Sequence, residues 1–524
     1  MAGELRRTLG LWFALAALAA ACGGRTPAAA PRPPAGPTAR ASAAATAAAS
    51  DIAAENAKPG TGDWRIPQSA LGSQDAVEGY TDHVTVTPGQ SFRLFVSSTA
   101  PAFTAIAYRI GYYGGAGGRE VWRSAATPGV VQPAPRIDGS TNTVECDWKP
   151  SLQVGTADWP PGDYLIRLVA SNGAGQRYVP LVVRSTSTAG RVVLVAGVTT
   201  WQAYNAWGGY SLYHGLKGSS DRARAVSFDR PYLDPDEEAG DGLFLPFDQA
   251  LVSFAEQHGL PVGYAGDIEL DSDPGLFASA AAIVSDGHDE YYSAGMRQTL
   301  LAARDAGTNL AFLGANALFR HIRLGPTGLG PDRLVICYKD AVSDPMYALD
   351  KSQTTQDWRD GPDPRPENQL TGSFYQCNPV DAAYVVYDPA AWMLAGTGVA
   401  RGSSFPGLVG PEYDRVVDIA TTPHPIEVLS HSPLSCDGHA GYQESAYYTV
   451  RSGAGVFDAG TMRWECALGS QCAAHLTPAG RAFVRQTTLN LLGAFAAGPA
   501  GLVHRASDNT SADAVPDSGG LGID

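Results

Sequence analysis

From about residue 75 to 187, apolar and polar side chains alternate with a period near two. His83-Val84-Thr85-Val86, Ser91-Phe92-Arg93-Leu94-Phe95-Val96 and Ala105-Ile106-Ala107-Tyr108-Arg109-Ile110 follow this pattern, as do Tyr164–Val169 and Tyr178–Val183. Gly, Pro, Asn and Ser turns separate the runs. Short strands at this spacing predict an antiparallel, Ig-like β-sandwich of about 110 residues. Near residue 190 the pattern changes. Val192–Ala196, Ala281–Val284 and Leu310–Leu313 are continuous apolar runs, the mark of strands buried on both faces. Helical patterns lie between them at Asp248–His258 and Ser293–Ala306, the second opened by a Ser N-cap and closed near Gly307. Alternating strands and helices predict an α/β fold, a parallel sheet flanked by helices on both faces. The expected division is a β-sandwich over residues 61–187, then an α/β domain over 188–500 with a β-rich insertion near 330–470.

The ends of the chain read differently. Arg6 and Arg7 precede a short apolar run, Leu9–Ala21, so residues 1–21 are expected to be a signal peptide. The run is shorter than the roughly 20 apolar residues a bilayer span needs. Leu18-Ala19-Ala20-Ala21 directly before Cys22 resembles the lipobox of bacterial lipoproteins, which implies lipidation of Cys22 and a membrane-anchored protein at the cell envelope. Residues 22–60 are mostly Ala, Pro, Thr and Ser and are expected to form a disordered tether, with a second disordered tail over 501–524.

The net charge of −15 and the lack of a Lys/Arg cluster argue against a nucleic-acid partner. Apart from Cys22 the chain has Cys146, Cys337, Cys377, Cys436, Cys466 and Cys472. In an oxidising compartment these suit up to three disulfides, Cys466–Cys472 being the easiest to pair. None shows zinc-ligand spacing.

In parallel sheets, ligands collect beyond the carboxyl ends of strands. The first predicted strand leads to Trp201, Tyr204, Trp207 and Tyr210, the second to Asp286-Gly287-His288-Asp289-Glu290, and the third to Gly314-Ala315-Asn316. If the three strands are neighbours, Tyr204, His288, Glu290 and Asn316 converge. No cysteine nucleophile, Gly-x-Ser-x-Gly elbow or Gly-x-Gly-x-x-Gly fingerprint follows these strands. Tyr, Glu and His, by contrast, are all competent metal donors.

Several segments, taken in order, resemble the N,N-dimethylformamidase large (beta) subunit family. They are Tyr108–Gly115, Thr200–Asn205 with Ser211-Leu212-Tyr213, Ser227–Tyr232, Gly287–Tyr291, Gly314–Asn316, Arg365-Pro366-Glu367, and Leu408-Val409-Gly410 with Glu412 and Asp414. The resemblance implies an amidohydrolase on a sheet similar to glutamine amidotransferases and ThuA-like proteins, lacking their cysteine. It also implies a mononuclear Fe(III) held by two tyrosines and a glutamate, and a small partner subunit. Carried over, Glu290 fits the glutamate, His288 and Asn316 the nearby catalytic pair, and Tyr204 one tyrosine. Tyr164 is the expected second tyrosine, with Tyr210 and Tyr213 as rivals. Trp201, Trp207 and Tyr210 are expected to line the substrate. A homo-oligomer is also expected.

The leading expectation is therefore an exported lipoprotein that hydrolyses a small amide by metal-activated water. The alternatives are a non-catalytic surface protein gripping a saccharide or peptide, and a glycoside hydrolase using Glu290 with Asp286 or Asp289. Adjacent side chains on a strand point opposite ways, which makes Asp289 and Glu290 a poor acid–base pair.

Overall fold

A computed structural model describes residues 37–233, 239–470, 472 and 474–510. The expected signal peptide and Cys22 lie outside the described residues, as do 511–524.

The period-two segments form two sheets, antiparallel except where Thr85–Val86 pairs in parallel with Gln176–Val183. One joins Glu78–Thr81, Ser91–Ser97 and Leu152–Gly155; the other is centred on Ala102–Ile110, Gly162–Ala170 and Gln176–Val183. Phe92, Leu94, Val96, Tyr164, Ile166 and Leu168 share the core between them. The opposite face of the larger sheet is buried too: Ile106, Tyr108, Leu165 and Val182 belong to a second core shared with the Val192–Ala196 strand. Strand neighbours point to opposite faces, so burial of both faces means that the sandwich is packed against the rest of the chain.

Residues after 190 build a seven-stranded sheet. Its order is Val262–Gly266, Val192–Ala196, Ala282–Asp286, Asn309–Phe312, Gly455–Asp458, Ala446–Thr449, Ile426–Val428. The first five pair in parallel and the last two antiparallel. The expected α/β class, a parallel sheet flanked by helices and similar to glutamine amidotransferases and ThuA-like proteins, is thus corrected. The described residues hold 28 strands in mostly antiparallel or mixed sheets and only eight α-helices. Four of those helices are no longer than seven residues. The departure arises where residues 320–443 fold into hairpins, among them Arg320–Thr327 with Gly330–Ile336 and Ser432–Cys436 with His439–Gln443. The result is a β-sandwich-rich, mixed-sheet protein.

Disulfides join Cys377 to Cys436 and Cys466 to Cys472, while Cys146 and Cys337 are buried free thiols. No helix among the described residues is long and apolar enough to cross a membrane.

Part of the expected tether is ordered. Pro37–Asn56 is an α-helix, because its many alanines carry the highest intrinsic helix propensity even though they offer little apolar surface. Its last turn docks: Glu55 accepts hydrogen bonds from Tyr113 Oη (2.8 Å) and Arg119 Nε (2.7 Å), and Ile52 is buried. Residues 501–510 of the expected tail are ordered as well. Val428 N donates to Asn509 Oδ1 at 2.7 Å, which extends the order to the edge of the central sheet.

Asp163, next to Tyr164, is buried near Arg109 and Glu256. Burial pushes its carboxyl up to about 7, opposed by Arg109 and reinforced by Glu256. A carboxyl that binds its proton more tightly when folded than at the unfolded value of about 4 lowers stability as pH rises from about 4 to 7. Above 7 the full penalty remains. Asp163→Asn is therefore expected to raise the melting temperature at pH 8 and leave it nearly unchanged at pH 4. Melting curves at both pH values check this, and equal shifts would contradict it.

Candidate functional site

Three adjacent strands end at one place. Val192–Ala196 feeds the short helix Val198–Tyr204, which delivers Tyr204. Ala282–Asp286 ends at Gly287, whose φ of +70° turns the chain so that His288 and Glu290 follow. A Cβ at Gly287 would lie 2.5 Å from Asp248 Oδ1 and 2.7 Å from Phe247 Cβ, so the turn needs glycine for space as well as for conformation. Asn309–Phe312 leads to Asn316, at φ +61°, where its backbone N–H donates to Asp414 Oδ1 at 2.9 Å.

Tyr204, Tyr213 and Glu290 meet there. Tyr204 Oη donates to Glu290 Oε2 at 3.0 Å and Tyr213 Oη to the same oxygen at 2.7 Å. The two phenol oxygens are 2.9 Å apart, and their rings stack with centroids separated by 4.5 Å. Tyr291 Oη donates to Tyr213 Oη at 2.8 Å. His288 Nε2 lies 3.0 Å from Tyr204 Oη and 3.7 Å from Glu290 Oε2. Arg320 Nε donates to Glu290 Oε1 at 3.3 Å, and Lys339 Nζ sits 3.3 Å from the Tyr213 ring centroid. Thr200 Oγ1 fixes the Glu290 backbone by accepting its N–H at 3.0 Å.

The site is electrostatically divided. Burial, then the Glu290 charge, push both Tyr204 and Tyr213 well above the ordinary phenol value. Burial would raise Glu290 too, but Arg320, Lys339 and His288 outweigh it and hold this carboxyl below its usual range. Burial drives Lys339 down to about 7, with Arg320 adding to it, and holds His288 below the ordinary imidazole value. Burial and the nearby Glu290 raise Glu412 to about 8. The groups therefore rest as neutral phenols and a neutral imidazole around an ionised Glu290 and a protonated Glu412.

The donor set fits a hard metal ion. Ligands about 2 Å from an octahedral ion lie about 2.8 Å apart at neighbouring positions, close to the separations of the three oxygens here. A cation would also supply the positive charge needed to ionise the two phenols. Around them, His288 Nδ1, Asn316 Oδ1 and Glu412 Oε2 are buried with no hydrogen-bond partner, which leaves polar atoms free for a ligand. Elsewhere, Cys377, Cys436 and Asp437 lie within metal-binding reach of one another, but the two sulfurs are joined in a disulfide.

The structure brings Tyr204, His288, Glu290 and Asn316 to one locality and leaves out others. Tyr164 is corrected: its Oη donates to Pro160 O at 2.6 Å and its ring stacks on Trp159 inside the sandwich. Alternation along its strand aims it at that core with Ile166 and Leu168. Tyr213, the rival, lies instead beside Tyr204 and Glu290. Trp201, Trp207 and Tyr210 are core residues. Trp201 packs on Phe244, Trp207 donates to Glu78 Oε2 at 2.6 Å and meets Trp148 edge-on, and Tyr210 is buried. Lys339 and Arg320 escaped the sequence reading because neither stands inside one of its motifs, although Arg320 follows Asn316 by only four residues. Glu412 did carry a signal, its place in the motif after Gly410.

A family model described as N,N-dimethylformamidase beta subunit-like, C-terminal, matches residues 104–475. No curated protein matches the chain significantly.

Proposed function

Because the chain belongs to the N,N-dimethylformamidase beta subunit-like family, we propose that it is an amide hydrolase with a mononuclear ferric ion held by Tyr204, Tyr213 and Glu290. The observation that carries this reading is the convergence of three oxygen donors within 3.0 Å of one another. Two phenolates and a carboxylate would balance the charge of Fe(III), and hard oxygen donors suit it. Bound there, the ion would supply Lewis acidity toward an amide carbonyl and toward water.

The protein's own groups handle the protons. His288, neutral through burial, has its free Nδ1 available to accept a proton from the attacking water and pass it to the departing amine. Asn316 Oδ1 would orient that water by accepting one of its hydrogens. Glu412, its carboxyl raised to about 8 by burial and the Glu290 charge, would offer an O–H donor to charge developing on the substrate oxygen. The products are a carboxylic acid and an amine, with one water consumed.

Export and lipid anchoring through Cys22 belong to the same proposal, supported by the charged and apolar leader and by two disulfides, which form in oxidising compartments. The family description names a beta subunit, which supports assembly with further chains. Burial of Trp201, Trp207 and Tyr210 removes the aromatic surface on which a saccharide-binding reading would rest.

The test is amine release from N-alkyl amides by the iron-loaded full chain and by Glu290→Gln. The variant is expected to lose on the order of 1000-fold or more in kcat/KM. Activity within a few-fold of the parent would overturn the assignment.

A further inference from the structure

A cavity of about 580 Å³ lies beside the site, walled mainly by apolar side chains from Leu245-Pro246-Phe247, Pro411 and Met462, with the Cys466–Cys472 disulfide at one side and Arg463 and His475 in the same wall. It meets the three segments that carry the proposed chemistry. The Phe247 ring centroid is 5.8 Å from that of His288, and Phe247 Cβ packs against the Gly287 turn. Met462 Sδ is the side-chain atom facing Gly314, two residues before Asn316, where a Cβ would lie 3.9 Å from it. Pro411 immediately precedes Glu412. The cavity therefore lies against the segments that carry the amide-handling groups, and Phe247, which lines it, also neighbours His288.

Its size and polarity define what it takes. A cavity that holds one benzene ring is about 150 Å³, and pockets for larger organic ligands run from about 300 to 1,000 Å³. A simple dimethylated amide would leave most of this space unfilled. Arg463 adds no free charge to the wall: Nη1 donates to Asp381 Oδ1 at 2.7 Å and to Gly407 O at 2.8 Å. The mainly apolar wall favours an uncharged, apolar occupant.

Resting on the hydrolase reading above, we infer that the substrate is an amide bearing a large uncharged apolar group, aryl or medium-chain alkyl, that lodges between Phe247 and Met462 while the amide faces His288 and Glu290. The apolar group sits on one side of the amide, either the acyl or the amine half.

The iron-loaded full chain is tested on homologous series of linear N-acyl and N-alkyl amides. In one of the series kcat/KM should rise about fourfold per methylene until the cavity is full, the factor expected for burying one CH₂. Met462→Trp, which fills the cavity, should lower the long-to-short kcat/KM ratio at least tenfold, and Leu245→Trp is a second filling variant should the first misfold. Binding of the uncharged fluorophore N-phenyl-1-naphthylamine to Glu290→Gln supplies a readout independent of turnover. It should be displaced by long amides and not by acetamide, and lost when Met462→Trp is added. Displacement without hydrolysis of any amide by the iron-loaded parent would uphold the cavity assignment and sink the hydrolase reading. Flat series, or probe binding unchanged by both filling variants, would overturn the inference.

Discussion

Arg109→Ala is expected to destabilise the protein by about 3–5 kcal/mol, the cost of breaking a buried ion pair by removing one partner. Arg109 sits on the Ala102–Ile110 strand with no solvent exposure and reaches out of the sandwich to Glu256 on the Gln249–Gln257 helix. Its Nη2 is 2.5 Å from Glu256 Oε1 and its Nη1 is 3.3 Å from Oε2, a bidentate pairing. Nη1 also donates to Tyr113 Oη at 3.0 Å and Nε to Pro161 O at 3.0 Å. Glu256 receives Tyr264 Oη at 2.6 Å, so this one carboxylate ties the sandwich to both a helix and an edge strand of the central sheet. Removing the guanidinium strands that charge in an apolar interior, close to Asp163. The double variant Arg109→Met/Glu256→Leu should be less damaging than Arg109→Ala alone, because it removes both charges together. Denaturant unfolding of the three chains checks this. A loss below about 1 kcal/mol in Arg109→Ala would contradict the role given to the pair.

Tyr213→Phe is expected to abolish iron binding and to lower amide hydrolysis by on the order of 1000-fold, while Tyr164→Phe leaves both intact. The contrast follows from what each hydroxyl touches. Tyr213 Oη is within 3.0 Å of Glu290, Tyr204 and Tyr291 oxygens. Tyr164 Oη serves one carbonyl, that of Pro160, inside the sandwich. Losing that single buried hydrogen bond should cost about 1 kcal/mol of stability and nothing in metal content. Iron analysis and amine release on both variants decide the matter. Loss of iron in Tyr164→Phe with retention in Tyr213→Phe would reverse the ligand assignment.

How much of this is visible before folding depends on the range of the signal. Val192–Ala196 and Ala282–Asp286 read as continuous apolar strands because both faces of each are covered, and the Ala294–Ala306 helix reads from its Ser293 cap and Gly307 stop. The fold class did not follow from them. Antiparallel addition of Ala446–Thr449 and Ile426–Val428 beyond the parallel strands is set by pairing partners, which leave no local period. The same distinction applies within the site. Tyr204, His288, Glu290 and Asn316 each follow a legible strand. Tyr213 lies in an irregular segment, where Ser211 Oγ accepts its N–H at 3.1 Å, and reaches Glu290 from 77 positions away. Tyr164 carried the opposite clue, since its alternation with Ile166 and Leu168 already places it in a sandwich core.

The central claim, a ferric site built from two phenols and one carboxylate, is tested most directly by iron content per chain in the purified protein beside Tyr213→Phe and Glu290→Gln. Close to one iron per parent chain with a phenolate-to-iron charge-transfer band is expected, and neither in the two variants. A well-folded parent that takes up no iron on reconstitution would contradict it.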